Sequence, residues 1–403
     1  MKFEQLGLRP ELVRALQEMG ITEPTDIQGK AIPPIKEGKD VIVISKTGSG
    51  KTAAFGLPML ESITPHKGLQ GIILAPTREL AVQISQELQK FAKFLHFRFA
   101  TIYGGVSLIP QVKEMERADI LVGTPGRVLD HLKRRNLDLT KIRCAVLDEA
   151  DKMVEMGFIE DITEILQSTP EYRQMVLLGA TISTEIEHLQ GHFMHDPVTV
   201  EAERQVKEEY LQQYYYNTER HEKFSLLVHL LKKEKPERAI IFCSARHTVE
   251  LITRNLRRYG FGIEMIHGKL SQNRRLQVID AFHKGKIPIL VASAVAARGL
   301  HIEKVTHIIN YDLSQDPQEY IHRVGRTARA GESGKAFTLL ERRDYDVFDA
   351  ILRRYRVKVE EMPPENFQRL QFDARREEEH RRTQSHFRSS GNFQGRRAPF
   401  RRH

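Results

Sequence analysis

The sequence predicts an α/β protein of two tandem parallel-sheet domains joined by a short linker, with a basic C-terminal tail. Three observations carry this. The 403 residues exceed what one hydrophobic core ordinarily supports. Short apolar runs alternate with segments of helical spacing twice over, as when parallel strands are covered by helices. From Pro363 onward the chain is arginine-rich, without lysine and poor in aliphatic residues, so its end cannot bury a core. The expected division is residues 1–203, a linker over 204–213, a second domain over 214–362 and a basic, disordered tail over 363–403.

The first element expected is a helix from Phe3 to Met19, with Leu8, Leu12, Val13, Leu16 and Met19 at helical spacing and Gly20 as its cap. Residues 21–28 then combine a turn at Pro24 with Gln28. The Gln28 amide can pair with donor and acceptor atoms of a base edge, although an ordinary surface glutamine reads the same. The apolar run Val41 to Ile44 leads into Ser45-Lys46-Thr47-Gly48-Ser49-Gly50-Lys51-Thr52. Such a glycine-bearing turn between strand and helix lets backbone N–H groups cradle phosphates, with Lys51 on the outer phosphates and the Thr52 hydroxyl on Mg2+.

Three further strands are expected at 71–74, 99–102 and 119–122. They are followed by Pro76-Thr77-Arg78-Glu79, Gly104-Gly105 and Thr124-Pro125-Gly126-Arg127. Hydroxyls, arginines and open helix N-termini suit a phosphodiester backbone, and each junction alone also serves as a turn or cap. In Val146-Leu147-Asp148-Glu149-Ala150-Asp151 an apolar run stops at three carboxylates. Alone these acids could cap the next helix; with the glycine loop they describe a nucleotide site at a sheet edge. A strand at 175–178 brings Gly179-Ala180-Thr181 to the same edge.

Beyond the linker, Tyr214-Tyr215-Tyr216 opens a second cycle. Its strands are expected at 239–243, 262–266, 289–292 and 307–310, its helices at 247–259 and 274–283. No second phosphate loop occurs. This half offers His267-Gly268, Gln272 with Arg275, Ala297-Arg298-Gly299, and the stretch from His322 to Arg329. Arg323, Arg326 and Arg329 recur every three residues and at helical pitch would share one face, where guanidinium groups could stabilise a transferring phosphoryl group.

The formal charge of +9 favours a polyanionic partner, nucleic acid first. In the tail, arginines interleave with Phe387, Phe393 and Phe400, a composition suited to neutralising and stacking on single-stranded RNA; a solubilising tail is the alternative. No run approaches the ~18 to 20 apolar residues of a membrane span. Met1-Lys2-Phe3-Glu4-Gln5 lacks the basic-then-apolar pattern of a signal peptide, so a soluble, cytoplasmic protein is expected. Cys144 and Cys243 lie in apolar runs without metal-ligand spacing and read as small buried hydrophobes, with neither disulfide nor zinc assigned.

These stretches, in this order, give the chain its resemblance to the DEAD-box ATP-dependent RNA helicases: Asp148-Glu149-Ala150-Asp151, Pro76 to Ala81, Gly104-Gly105, Thr124 to Arg127, Gln272 with Arg275, and His322 to Arg329. The resemblance implies two RecA-like domains that close on ATP and single-stranded RNA together. It implies that Lys51, Thr52 and the loop residues Thr47, Gly48, Ser49 and Gly50 hold phosphates and Mg2+. Asp148 would hold Mg2+ through water, Glu149 position the attacking water, and Arg326 and Arg329 reach the γ-phosphate from the second domain. Thr25 and Gln28 would recognise adenine, with Phe3 nearby. Asp151, Gly179, Ala180, Thr181, Arg298, Gly299, His322 and Arg323 would couple the domains. RNA backbone would lie on the Pro76, Gly104, Thr124 and Gln272 groups, ribonucleoproteins are possible partners, and a monomer is favoured.

The chain departs from the family pattern at Gly179, where serine is usual, at Ala294 and His301, where aspartates are usual, at Ile21, usually aromatic, and at Lys46, usually glutamine. The expectation is an ATPase whose hydrolysis persists while coupling to unwinding weakens. The competing reading is an ATP-gated RNA clamp; a DNA helicase fits the motif series poorly.

Overall fold

The computed structural model describes residues 2–45, 49–201, 211–293, 305–314, 316–327, 333–355 and 357–374. Contacts divide it into two units, the second beginning at Leu211. In the first, a short 3-10 turn over Phe3–Leu6 precedes helices α1 (Pro10–Glu18) and α2 (Asp26–Lys36). The expected first helix is therefore broken. Gly7 stands in the left-handed region at φ 65, and Pro10, which has no N–H to donate, starts α1.

Strand and helix then alternate: β1 (Val41–Ile44), α3 (Lys51–Ser62), β2 (Gly71–Leu74), α4 (Arg78–Phe91), β3 (Phe99–Ile102), α5 (Leu108–Met115), β4 (Ile120–Gly123), α6 (Pro125–Lys133) and β5 (Cys144–Leu147). After β5 come α7 (Ala150–Glu155), α8 (Ile159–Gln167), β6 (Gln174–Gly179), α9 (Thr184–Phe193) and β7 (Val198–Glu201). The seven strands form one parallel sheet in the order β3-β4-β2-β5-β6-β1-β7. Helices cover both faces, so strands such as Ile120–Gly123 are buried throughout and read as continuous apolar runs.

The second unit repeats the plan with β8 (Leu211–Asn217), α10 (Lys223–Glu234), β9 (Ala239–Cys243), α11 (Arg246–Arg258), β10 (Ile263–Ile266), α12 (Gln272–His283), β11 (Ile289–Ser293), β12 (His307–Asn310), a helix over Pro317–Val324, β13 (Gly334–Leu340), a helix over Tyr345–Tyr355 and the short β14 (Glu360–Glu361). Its sheet is also parallel, ordered β10-β11-β9-β12-β13-β8-β14.

Two boundaries differ from expectation. Leu211, Gln212 and Gln213, assigned to the linker, pair with Gly334, Lys335 and Ala336 in β8, because main-chain pairing accepts polar side chains on a partly covered strand. The tail does not begin at Pro363. Phe367 and Leu370 pack on the second core, Phe372 lies 5.0 Å from Phe224, and Glu365 and Asp373 bond to α10 and α11. A few apolar anchors and two half-buried acids suffice to dock an extended segment of low aliphatic content. Residues 375–403 lie outside the described residues. Both cysteines are free and buried; burial pushes the Cys144 thiol up to about 12 and raises that of Cys243.

Candidate functional site

The carboxyl edge of the first sheet carries two kinds of chemistry, separated by strand order. The strands β5, β6 and β1 are contiguous and carry the acidic residues, Gly179 and the phosphate loop. The strands β3, β4 and β2 form the other half and carry Gly104-Gly105, Thr124 to Arg127 and Pro76 to Arg78.

On the nucleotide side, Gly50 caps α3 at φ 87, a left-handed backbone suited to glycine. A Cβ there would lie 2.3 Å from Gln28 Nε2, so only glycine admits that side chain. Gln28 is 4% exposed; its Nε2 donates to the Gly50 carbonyl at 3.0 Å and its Oε1 accepts from the Thr25 N–H at 3.0 Å. The Thr25 hydroxyl donates to the Ser49 carbonyl at 2.9 Å. Thr25 and Gln28 thus brace the phosphate loop from outside. Lys51, buried in the first turn of α3, donates to the Ser45 carbonyl at 3.1 Å, and the Ser45 and Ser49 hydroxyls share a bond at 2.9 Å. Thr52 follows, half-buried. Thr47, Gly48 and Lys46 lie outside the described residues.

Asp148 ends the apolar run of β5, with its N–H on the Leu74 carbonyl at 3.0 Å. Glu149 adopts φ 54 and ψ 48, a left-handed conformation rare for a carboxylate side chain, and caps α7. Both acids are 4% exposed, and Lys152 Nζ pairs with Glu149 Oε1 at 2.7 Å. Asp151 accepts the Ala180 and Thr181 N–H groups on one oxygen at 2.9 and 3.3 Å. The Gly179 carbonyl accepts from the Ser45 N–H at 2.9 Å. Gly179-Ala180-Thr181 therefore joins the phosphate loop to the acidic turn, its own backbone groups meeting the Ser45 N–H on one side and the Asp151 carboxylate on the other.

On the other side, Thr77 caps α4, its hydroxyl accepting from the Leu80 N–H at 3.3 Å. Arg78 lies against the glycine pair: a Cβ on Gly105, at φ 82, would stand 2.0 Å from Arg78 Nη1. Arg127 donates through Nη1 and Nη2 to the Val106 carbonyl at 3.1 and 3.2 Å. Pro125 is buried and Gly126 exposed in the first turn of α6, capped by Thr124. The three junctions, distant in sequence, form one surface of arginines, hydroxyls and backbone N–H groups.

In the second unit Gln272 and Arg275 lie one turn apart on α12, both half-buried. Arg323 and Arg326, expected on one helix face with Arg329, do not share one. The helix stops at Val324; Gly325 and Arg326 form a turn, with the Arg326 N–H on the Arg323 carbonyl at 3.2 Å, and Thr327 bridges to Val305. Arg323 is 3% exposed, donates to Glu319 at 2.9 Å and to the Asp312 carbonyl at 2.7 Å, and lies 5.3 Å from the Phe242 ring. It is an internal anchor. Arg326 is buried beside it, and His322 has its backbone in the helix. Arg298, Gly299, Arg329, Ala294 and His301 lie outside the described residues.

Phe3, expected near adenine, is 1% exposed and packed in the first core with Leu12, Leu16 and Ile27. A ring so enclosed has no face for a ligand. The residue that sequence reading passed over is Gln111, buried in α5 and bonded to both Tyr103 and Arg127. A single glutamine in a short helix carries no pattern to mark it.

Residues 25–189 match the family model of the DEAD/DEAH box helicase and residues 222–331 that of the helicase conserved C-terminal domain. The chain is 42% identical over 365 residues to the DEAD-box ATP-dependent RNA helicase CshA of Geobacillus kaustophilus, covering 90% of this chain and 78% of that one. It is 41% identical to the ATP-dependent RNA helicase CshA of Limosilactobacillus reuteri, over 90% of this chain and 74% of the relative. Among solved structures, S. cerevisiae Dbp5 bound to RNA and ADP BeF3 is similar at a TM-score of 0.80 and 31% identity, over 90% of this chain and 95% of that chain. With the glycine loop, the acidic turn and the arginine-lined junctions on one sheet edge, these likenesses establish that the chain belongs to the DEAD-box ATP-dependent RNA helicase family.

Proposed function

We propose that this protein is an RNA-stimulated ATPase that binds single-stranded RNA through its sugar-phosphate backbone and uses hydrolysis to separate short duplexes or remodel ribonucleoproteins. One observation carries the reading: a single sheet edge holds a phosphate loop with its acidic partner on β1, β6 and β5, and a backbone-binding surface on β3, β4 and β2.

Lys51, at the start of α3, neutralises charge on the outer phosphates, aided by the N-terminus of that helix. Asp148 and the Thr52 hydroxyl are an all-oxygen donor set, which suits a hard cation, and Mg2+ held there would offset phosphate charge. Glu149 orients the attacking water, its carboxylate held in place by Lys152. Arg326 and Arg329 supply charge to the γ-phosphate. Phosphoryl transfer needs positioning more than covalent chemistry, and one added arginine is typically worth ~10^3 to 10^5 in rate. Thr25 and Gln28 hold the loop that receives the nucleotide, and Gln28 retains a second amide hydrogen and a second lone pair for a base edge. On the RNA side Pro76, Thr77, Arg78, Gly104, Gly105, Thr124, Pro125, Gly126, Arg127, Gln272 and Arg275 contact backbone, so base preference should be low. Asp151, Gly179, Ala180, Thr181, Arg298, Gly299, His322 and Arg323 belong to the path from nucleotide to closure. Among the described residues no helix is long and apolar enough to cross a membrane, and a cytoplasmic site of action fits that.

The test is strand displacement of a short RNA duplex run beside ATP hydrolysis with and without single-stranded RNA. RNA-stimulated hydrolysis with ATP-dependent displacement is expected. ATP-dependent RNA retention without displacement would favour the RNA clamp, and stimulation by DNA equal to that by RNA would count against RNA as the substrate.

A further inference from the structure

Gln111 is 4% exposed and links both flanks of the glycine pair, Tyr103 directly and Val106 through Arg127. Its Nε2 donates to the Tyr103 carbonyl at 3.0 Å. Its Oε1 accepts from Arg127 Nη1 at 3.3 Å and stands 3.1 Å from Nε2 of the fully buried His131. Arg127 in turn holds the Val106 carbonyl. Tyr103 and Val106 bracket Gly104-Gly105, so one buried amide ties that loop to the start of α6.

The amide can be arranged in only one sense. Reversed, its NH2 would face a guanidinium and its carbonyl would face the Tyr103 carbonyl, two repulsive contacts. With the amide so arranged, the 3.1 Å contact requires the His131 tautomer that donates from Nε2 to the Gln111 oxygen. Burial first, and the Arg127 charge second, hold the His131 pKa below the ordinary histidine value, which keeps the ring neutral near pH 7. These contacts of Arg127 occupy three of its N–H groups, Nη1 twice and Nη2 once, and a guanidinium has about two more to offer.

We propose that Gln111 is the positioning residue of the RNA-backbone edge, fixing Arg127 and the glycine pair as one rigid unit that meets a phosphodiester without first losing side-chain freedom. This rests on the RNA-edge reading above. An arginine already immobilised spares the ordering cost of binding, which amounts to roughly three- to tenfold in affinity.

The experiment uses the full chain and a fluorescent single-stranded oligouridylate with a non-hydrolysable ATP analogue, titrated across a salt series. Arg127→Ala should weaken binding and flatten the dependence of log K on log salt by ~0.7, the value of one single-strand phosphate contact. Gln111→Leu should weaken binding roughly three- to tenfold and flatten the slope in the same direction. The double variant should bind no worse than Arg127→Ala, because the two changes remove one contact. His131→Phe, which leaves Gln111 in place, should give a smaller loss with the same non-additivity, and it decides the matter should Gln111→Leu not fold. Wild-type affinity and slope in the folded Gln111 and His131 variants, or losses that add fully to that of Arg127→Ala, would overturn the proposal. If Arg127→Ala itself changes neither affinity nor slope, the RNA-edge reading fails first.

Discussion

Glu149 and Gly179 concentrate the chemistry of the site into two backbone positions. A glutamate in the left-handed region costs on the order of 1–3 kcal/mol, a strain that surrounding structure must hold. Here α7 begins at the next residue and Lys152 reaches back to the carboxylate, so the acid is aimed at the sheet edge. Glu149→Gln keeps the shape but removes the charge; turnover should fall at least ~10^2-fold while an ATP-dependent RNA complex still forms. Turnover close to wild type would reject Glu149 as the water-positioning group. At Gly179 a Cβ would lie 3.2 Å from the Thr181 carbonyl oxygen and 3.6 Å from the Asp151 carboxylate. Serine thus fits after a small shift and brings a hydroxyl beside Asp151. One such bond is worth ~1 kcal/mol net, so Gly179→Ser should raise duplex molecules unwound per ATP about fivefold. A ratio equal to wild type at matched hydrolysis rates would show that the missing hydroxyl does not limit coupling.

At the scale of elements, residues 363–374 show how a stretch without regular structure becomes part of a domain. Glu365 receives bonds from the Tyr216 hydroxyl at 2.6 Å and Lys233 at 2.7 Å, with His229 Nε2 at 2.6 Å. Burial pushes its pKa up, but the bonds from Lys233, Tyr216 and His229 outweigh it and bring the carboxyl down to about 2. A carboxylate with a depressed folded-state pKa stabilises above its ordinary value of ~4.3, and that contribution fades as pH falls toward the folded value. Glu365→Ala should therefore destabilise the second domain by ~1–3 kcal/mol at neutral pH, and the difference from wild type should shrink as pH drops from about 4 toward about 2. Calorimetry across that range checks it; a pH-independent difference would mean packing, not charge, is what the variant loses. At its far end, Asp373 bonds through its N–H to Asn255 Oδ1 and through its carbonyl to Asn255 Nδ2 and Arg254.

For the whole molecule, net charge is where composition bears on RNA binding. The net charge of +9 includes an arginine-rich C-terminal stretch that pairs charge with aromatic rings. Deleting residues 375–403 should weaken single-stranded RNA binding about tenfold at low salt and less at high salt, since released counterions drive that part of the affinity. Equal loss at every salt concentration would contradict an electrostatic role. Much of this architecture was legible beforehand. Ala239–Cys243 and His307–Asn310 agree with expectation to the residue, the first because a strand covered on both faces appears as a bare apolar run. The spacing of Arg323 and Arg326 misled, because periodicity continues in the letters after the helix itself has ended at Val324.

What the sequence determined by itself was local: where strands lie, where the glycine loop turns, and which acids follow β5. Side-chain type and near-neighbour spacing settle these, and they suffice to place the phosphate-binding and acidic groups at strand ends. Tertiary structure alone decided that Glu149 takes a left-handed backbone, that Phe3 is core, that Gln28 braces Gly50, and that Gln111 joins Tyr103 to Arg127. Each depends on contacts between residues far apart in the chain or on a backbone imposed by its surroundings. A buried amide or a strained carboxylate has no periodic mark in sequence; it acquires its role only when packing removes water and leaves one partner for each polar atom.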